Sequence, residues 1–152
     1  MNGSEAMMKV KDVMTKDPET VGPGAYIGDV AKLMRDLDVG IIPVVSNDEL
    51  KGVITDRDIT IRVTAAGLNP FEVTVQDFTS PNPISVSPDD DVEKARELMS
   101  NEQIRRLLVT EGNKLVGIIS LGDLATKDRA EDTATGEVLE NISEPTNFNT
   151  QA

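Results

Sequence analysis

Two stretches of this chain set a hydroxyl three residues ahead of a carboxylate, each at the end of an apolar run. Thr55 precedes Asp58 in Gly52-Val53-Ile54-Thr55-Asp56-Arg57-Asp58, and Ser120 precedes Asp123 in Gly117-Ile118-Ile119-Ser120-Leu121-Gly122-Asp123. Two chemistries suit this spacing, and both stay open. At a helix start it is a capping box: the hydroxyl accepts from the N3 amide and the acidic side chain returns to the cap amide. It also suits a ribose, because a carboxylate accepts two hydrogen bonds at once and so holds vicinal 2′ and 3′ hydroxyls, while the hydroxyl and the free helix amides favour a nearby phosphate. Val53 and Ile118, just upstream, offer an apolar surface for a flat purine. Gly52 and Gly117 are read as hairpin geometry. Ser87-Pro88-Asp89-Asp90 repeats the spacing ahead of another helix, where the acidic run serves the helix dipole and solubility.

The elements that must position these groups are written twice. Residues 21–59 overlay 86–124 at a constant offset of 65 without a gap. A copy of about 50 residues buries too little surface to be comfortably stable alone, so the two are expected to pack face to face and form clefts. Ile27, Val30, Leu33, Met34 and Leu37 follow the spacing of a helix with one buried face, repeated at Val92, Ala95, Leu98 and Met99. Each helix is followed by two apolar runs around a turn, at 47–49 or 111–113, which predicts a β-hairpin. A second helix starts at Asp56 or Leu121, and short extended pieces lie at Thr20-Val21 and Ile84-Ser85. Each copy therefore reads β-α-β-β-α. The expected boundaries are a first repeat over 8–66, a linker over 67–75 carrying the chain across, a second repeat over 76–126 and an acidic polar tail over 127–152. Residues 8–12 and 73–77 read as equivalent lead-ins, with a register slip of about one residue where the copies start. In the tail, Val138, Leu139 and Ile142 fit either a short docking helix or a frayed end.

Composition closes several routes. The chain has 152 residues, 15 Lys and Arg against 27 Asp and Glu, and a formal charge of −12, which repels phosphate backbones and anionic lipid. No nucleic acid or membrane partner is expected. With no cysteine and no histidine there is no disulfide, no thiolate or imidazole metal ligand and no ordinary neutral-pH base. Asp56 and Asp58 together are a small fraction of a metal shell, so no metal site is expected. The first residues lack the basic and apolar regions of a signal peptide, and no apolar run approaches 18 residues. The expected location is cytoplasmic.

Across residues 8–125 the chain resembles a tandem pair of CBS domains, a Bateman module. The resemblance rests on Val13-Met14-Thr15, Gly40-Ile41-Ile42-Pro43-Val44, Gln103-Ile104-Arg105-Arg106-Leu107 and both Gly-x-x-Ser/Thr-x-x-Asp endings. The Ile-Thr-Asp-Arg-Asp-Ile stretch at 54–59 is similar to that of stand-alone two-repeat stress-type proteins of bacteria and archaea. The resemblance implies an α+β fold of two pseudo-symmetric β-α-β-β-α repeats packed through their sheets into one module. It also implies a disc-shaped homodimer and adenosine-ligand binding in clefts between the copies, the ligand being AMP, ADP, ATP or S-adenosylmethionine. Carried over residue by residue, Asp58 and Asp123 hold ribose while Thr55 and Ser120 support ribose or phosphate. Asp58 works with Thr79 and Ile84, and Asp123 with Thr15 and Thr20. Arg105 and Arg106 match basic phosphate contacts, where the first copy has Gly40 and Ile41, and Leu108 replaces the proline that matches Pro43. Both arginines also fit a solvated strand start or an interface ion pair, and Arg57 is the next basic candidate.

The leading expectation is a regulatory, non-catalytic sensor with no cofactor beyond its adenine nucleotide ligand, acting through a separate effector protein or its oligomeric state. For the dimer, Ile59, Ile61, Val63, Leu124 and Ala125 supply apolar surface on the second helices. The alternative is a constitutive dimerisation or stress-structural module whose capping boxes are only caps. An enzyme acting on nucleotides is disfavoured by the absence of His, Cys and a phosphate loop.

Overall fold

In the computed structural model, which describes residues 8–125, the chain runs through α1 (Val10–Val13), β1 (Thr15–Lys16), α2 (Ile27–Leu37), β2 (Ile41–Ser46) and β3 (Glu49–Thr55). It continues through α3 (Asp56–Asp58), a π-helical segment (Ile59–Thr64), a 3-10 turn (Val75–Asp77), β4 (Ser85–Val86), α4 (Val92–Glu102), β5 (Arg106–Glu111) and β6 (Lys114–Ser120). Another helix starts at Leu121. Both copies have the mixed β-α-β-β-α order expected, the first strand of the earlier copy being reduced to a parallel bridge between Val21 and Val44. The acidic tail, with Val138, Leu139 and Ile142, lies outside the described residues.

Local chemistry accounts for the element boundaries. Helix α2 ends with Asp38 in the left-handed conformation, and α4 ends likewise at Gln103. The amides of Asp38 and Val39 donate to the carbonyls of Arg35 and Met34, and those of Gln103 and Ile104 to Ser100 and Met99. This is the paired closure that satisfies a helix's last carbonyls. Val39 and Ile104 pack against the cores holding Met34 and Met99, so the stop is also an apolar contact. The β2–β3 hairpin turns on Asn47 and Asp48, both at positive φ, the backbone that matches the twist of two paired strands.

The described residues form two units, one joining 8–18 to 84–125 and the other spanning 19–83. The units thus cut across the repeats, because each lead-in folds onto the other copy. In the first-named unit, Val10 N–H donates to Asp90 O at 2.8 Å, Lys11 N–H to Pro88 O at 3.0 Å, and Val92 N–H to Met8 O at 3.0 Å. In the other unit, Val75 N–H donates to Ala25 O at 2.8 Å, Gln76 N–H to Pro23 O at 3.0 Å, and Ile27 N–H to Val73 O at 3.0 Å. Every partner is related by the repeat offset. The acidic run ahead of α4 therefore has a job beyond dipole and solubility: Lys9 pairs with Asp91 at 3.6 Å and Lys11 with Asp89 at 3.1 Å, tying α1 down. The register slip expected at the copy starts does not occur. Thr15 faces Ile118 and Ser80 faces Val53, both at the repeat offset.

Sheet order follows from this exchange. One sheet runs β1-β6-β5-β4, and the other is β2-β3 flanked by the bridges of Val21 to Val44 and Ser80 to Val53. Each core lies between its sheet and its helices. Ile27, Val30, Ile42, Ile54, Val63 and Val75 fill one, while Val10, Ala95, Leu107, Val109, Ile119 and Leu124 are among those filling the other. Val63 and Leu124 are fully buried, so they cannot supply the outward apolar surface expected of them; Ile61 remains half exposed. The stretch 67–75 is also not a free linker. Gly28 N–H donates to Pro70 O at 2.8 Å, and the Phe71 ring covers the Gly28 Cα so closely that a Cβ there has no room.

Candidate functional site

At the end of β3 the chain passes from strand into helix at Thr55, whose extended backbone leaves the first helical amides unpaired. Thr55 Oγ1 accepts from Asp58 N–H at 3.1 Å, and Asp58 Oδ2 accepts from Thr55 N–H at 3.0 Å and from Thr55 Oγ1–H at 2.9 Å. At the end of β6, Ser120 Oγ accepts from Asp123 N–H at 3.0 Å while Asp123 Oδ2 accepts from Ser120 N–H at 2.9 Å. Both capping boxes are complete. Each carboxylate makes its capping hydrogen bonds through Oδ2 alone; among the described residues Oδ1 of Asp58 and of Asp123 makes no hydrogen bond, although Asp58 Oδ1 has an ion-pair partner in Arg62. The cap and the ligand anchor are therefore compatible uses of one side chain, because they call on different oxygens.

The lead-in exchange supplies the neighbours. Thr79 belongs to the same unit as Asp58, and Thr15 to the same unit as Asp123. Ile84 and Thr20 belong to the opposite units from the carboxylates they were assigned to. Thr15 is exposed and faces Ile118; Thr79 Oγ1 donates to Val75 O at 2.8 Å, which commits its proton to the lead-in turn. Val53, the backbone bridge partner of Ser80, is buried with 7% of its surface open, whereas Ile118 is partly exposed. Gly52 and Gly117 do more than shape a hairpin. Each sits beside the register shift of its hairpin, and a Cβ on Gly117 would stand 2.6 Å from Met14 Sδ and 2.9 Å from Thr15 O, so glycine is what admits the other copy's lead-in.

The two copies differ in their cations. Arg106 faces Ser120 across the β5–β6 pair, and Arg105 O accepts from Leu121 N–H at 2.8 Å. Neither arginine is ion-paired among the described residues. In the first copy the Asp56 carboxylate fills the space over Gly40, 2.8 Å from where a Cβ would be. A residue that the site reading missed is Arg62. Its Nη1 lies 3.6 Å from Asp58 Oδ1 and donates to Phe78 O at 3.0 Å, with the guanidinium 5.5 Å from the Phe78 ring centroid. The spacing of four between Asp58 and Arg62 on a helix was the available signal. Among the described residues no group of three or more acidic, His or Cys side chains is arranged to hold a metal ion. No described helix is long and apolar enough to cross a membrane.

With this geometry in view, comparisons with known proteins converge. Residues 10–64 and 75–129 each match the family model of the CBS domain. The CBS domain-containing protein YhcV of Bacillus subtilis (strain 168) is 44% identical over 137 residues, covering 90% of this chain and 96% of that one. Among solved structures, Hypoxic Response Protein I with two coordinated zinc ions is similar with a TM-score of 0.70 at 31% identity, over 78% of this chain and 98% of that one. CBSX2 in complex with AMP is similar with a TM-score of 0.71 at 25% identity, over 82% of this chain and 98% of that one.

Proposed function

We propose that this chain, which belongs to the CBS-domain family, is a non-catalytic regulatory module that binds an adenosine-containing ligand at Asp58 and Asp123. The ligand class is AMP, ADP or ATP, with S-adenosylmethionine a further member. One observation carries this reading: the same complete capping box occurs twice, and each time it leaves the second carboxylate oxygen without a hydrogen bond among the described residues. A carboxylate so held is already oriented for a diol, and pre-orientation lowers the entropy lost on binding. The AMP complex of CBSX2 supports adenosine as the recognised part. Thr15, Thr20, Thr55, Thr79, Ile84 and Ser120 are assigned to the ligand surroundings, with Val53 and Ile118 beside the base and Arg105 and Arg106 beside phosphate. The response passes to an effector protein through a homodimer.

The second reading is a constitutive dimerisation module. It is favoured by the completeness of both caps without any ligand, which gives Asp58 and Asp123 a purely structural use.

Calorimetric titration with AMP, ADP, ATP and S-adenosylmethionine separates the two. Asp58→Asn combined with Asp123→Asn keeps side-chain size and removes the charged acceptor. Losing such a partner costs about 1.5–3 kcal/mol per site, hence about ten- to over a hundredfold in affinity. Saturable binding that the double substitution weakens by that factor supports the sensor; no saturable binding by the unsubstituted chain supports the constitutive module.

A further inference from the structure

The first copy has Gly40 and Ile41 where the second has Arg105 and Arg106, so its carboxylate lacks a cation from the strand. The fold brings one from the helix instead. Arg62, on the π-helical segment, stands 3.6 Å from Asp58 Oδ1, close enough to offset its charge and too far to use its lone pairs in a hydrogen bond. The guanidinium is fixed from the other side, by the Phe78 carbonyl at 3.0 Å and the face of the Phe78 ring. A guanidinium has five N–H donors, and the side chain is 45% exposed, so donors remain toward solvent. Arg57, two residues after the Thr55 cap, is exposed and makes no ion pair among the described residues.

We propose that Arg62 is the phosphate-tolerating cation of the Asp58 site and sets that site's preference for phosphorylated adenosine ligands over adenosine. This rests on the ligand reading above. In a chain of net charge −12, a phosphate arriving beside Asp58 meets repulsion that only a nearby cation relieves, since screening confines such effects to about 8 Å at physiological salt. Arg62 lies within that range of the carboxylate. Its planar fork suits phosphate, and its anchoring on Phe78 holds it in place before the ligand arrives. The two copies thereby meet one electrostatic requirement from different elements: strand β5 in the second copy, the π-helical segment in the first.

The test uses the full chain carrying Asp123→Asn, which leaves the Asp58 site alone, titrated with adenosine, AMP and ATP at low and moderate salt. Adding Arg62→Gln is expected to weaken AMP and ATP roughly three- to tenfold, to change adenosine by less than about twofold, and to flatten the salt dependence of ATP binding. Arg62→Lys, which keeps the charge, is expected to recover most of the ATP affinity and its salt slope. Equal weakening of adenosine and ATP overturns the proposal in favour of a role confined to holding Phe78. Tightening of all three ligands overturns it in favour of an arginine that blocks Asp58, and unchanged binding shows that Arg62 does not face the ligand. If the Asp123→Asn protein and the unsubstituted chain both bind none of the three, the ligand reading itself fails and this inference falls with it.

Discussion

Thr79 closes over Gly52, its Cγ2 standing 2.6 Å from where a Cβ on that glycine would be. The Ser80 carbonyl lies closer still, and Gly52 has φ +152. Gly117 meets Met14 and the Thr15 carbonyl in the corresponding place, without a positive φ. Gly52→Ala must therefore displace backbone and adopt an unfavourable conformation, whereas Gly117→Ala first pushes on a flexible thioether. We expect destabilisation of about 3 kcal/mol for Gly52→Ala and about 1–2 kcal/mol for Gly117→Ala. Urea unfolding monitored by circular dichroism gives the comparison, and equal costs would count against the backbone clash at Gly52.

Val10 and Val75 are equivalent lead-in residues, each fully buried in the core of the opposite copy. Truncation to Ala is expected to cost about 2 kcal/mol at either position through lost burial and an unfilled cavity. The distribution of that cost tests the exchange. In hydrogen exchange, Val10→Ala should lower protection over 84–125 and spare 19–83, and Val75→Ala should do the reverse. Protection lost instead from each lead-in's own copy would contradict the fold.

Arg106 faces Ser120 across two paired strands, which sets it beside the second capping box. In a protein carrying Asp58→Asn, Arg106→Ala should weaken ATP roughly three- to tenfold while adenosine binding stays nearly constant. The Asp58 site, isolated by Asp123→Asn, should be indifferent to Arg106→Ala. A loss shared by both sites, or absent from both, would return Arg106 to a structural or interface role.

The homodimer is expected to appear in light scattering as twice the chain mass across micromolar concentrations. Of the apolar residues assigned to it, Ile61 is the one left half exposed, at 49%. Ile61→Asp should shift the mass toward the monomer without lowering thermal stability, since it removes no core contact. A monomer mass for the unsubstituted chain, with and without nucleotide, would defeat the dimer.

The sequence alone determined the repeat, the helix and hairpin pattern and the two hydroxyl–carboxylate pairs. These were legible because they depend on periods of two and 3.6 and on contacts within four residues. Asp58 and Thr55 find each other in any chain that starts a helix there, and the same holds for Asp123 and Ser120. Tertiary structure alone decided which lead-in completes which sheet, since Val10 meets Asp90, and Val75 meets Ala25, only after the chain has crossed between copies. It also decided that Gly52 and Gly117 are crossing points, that Val63 and Leu124 face inward, and that Arg62 reaches Phe78 as well as Asp58. Each of these joins residues distant in sequence, or selects one face of a helix apolar on more than one side. Local propensity carries no information about such choices; they are made by which surfaces the folded chain brings into contact.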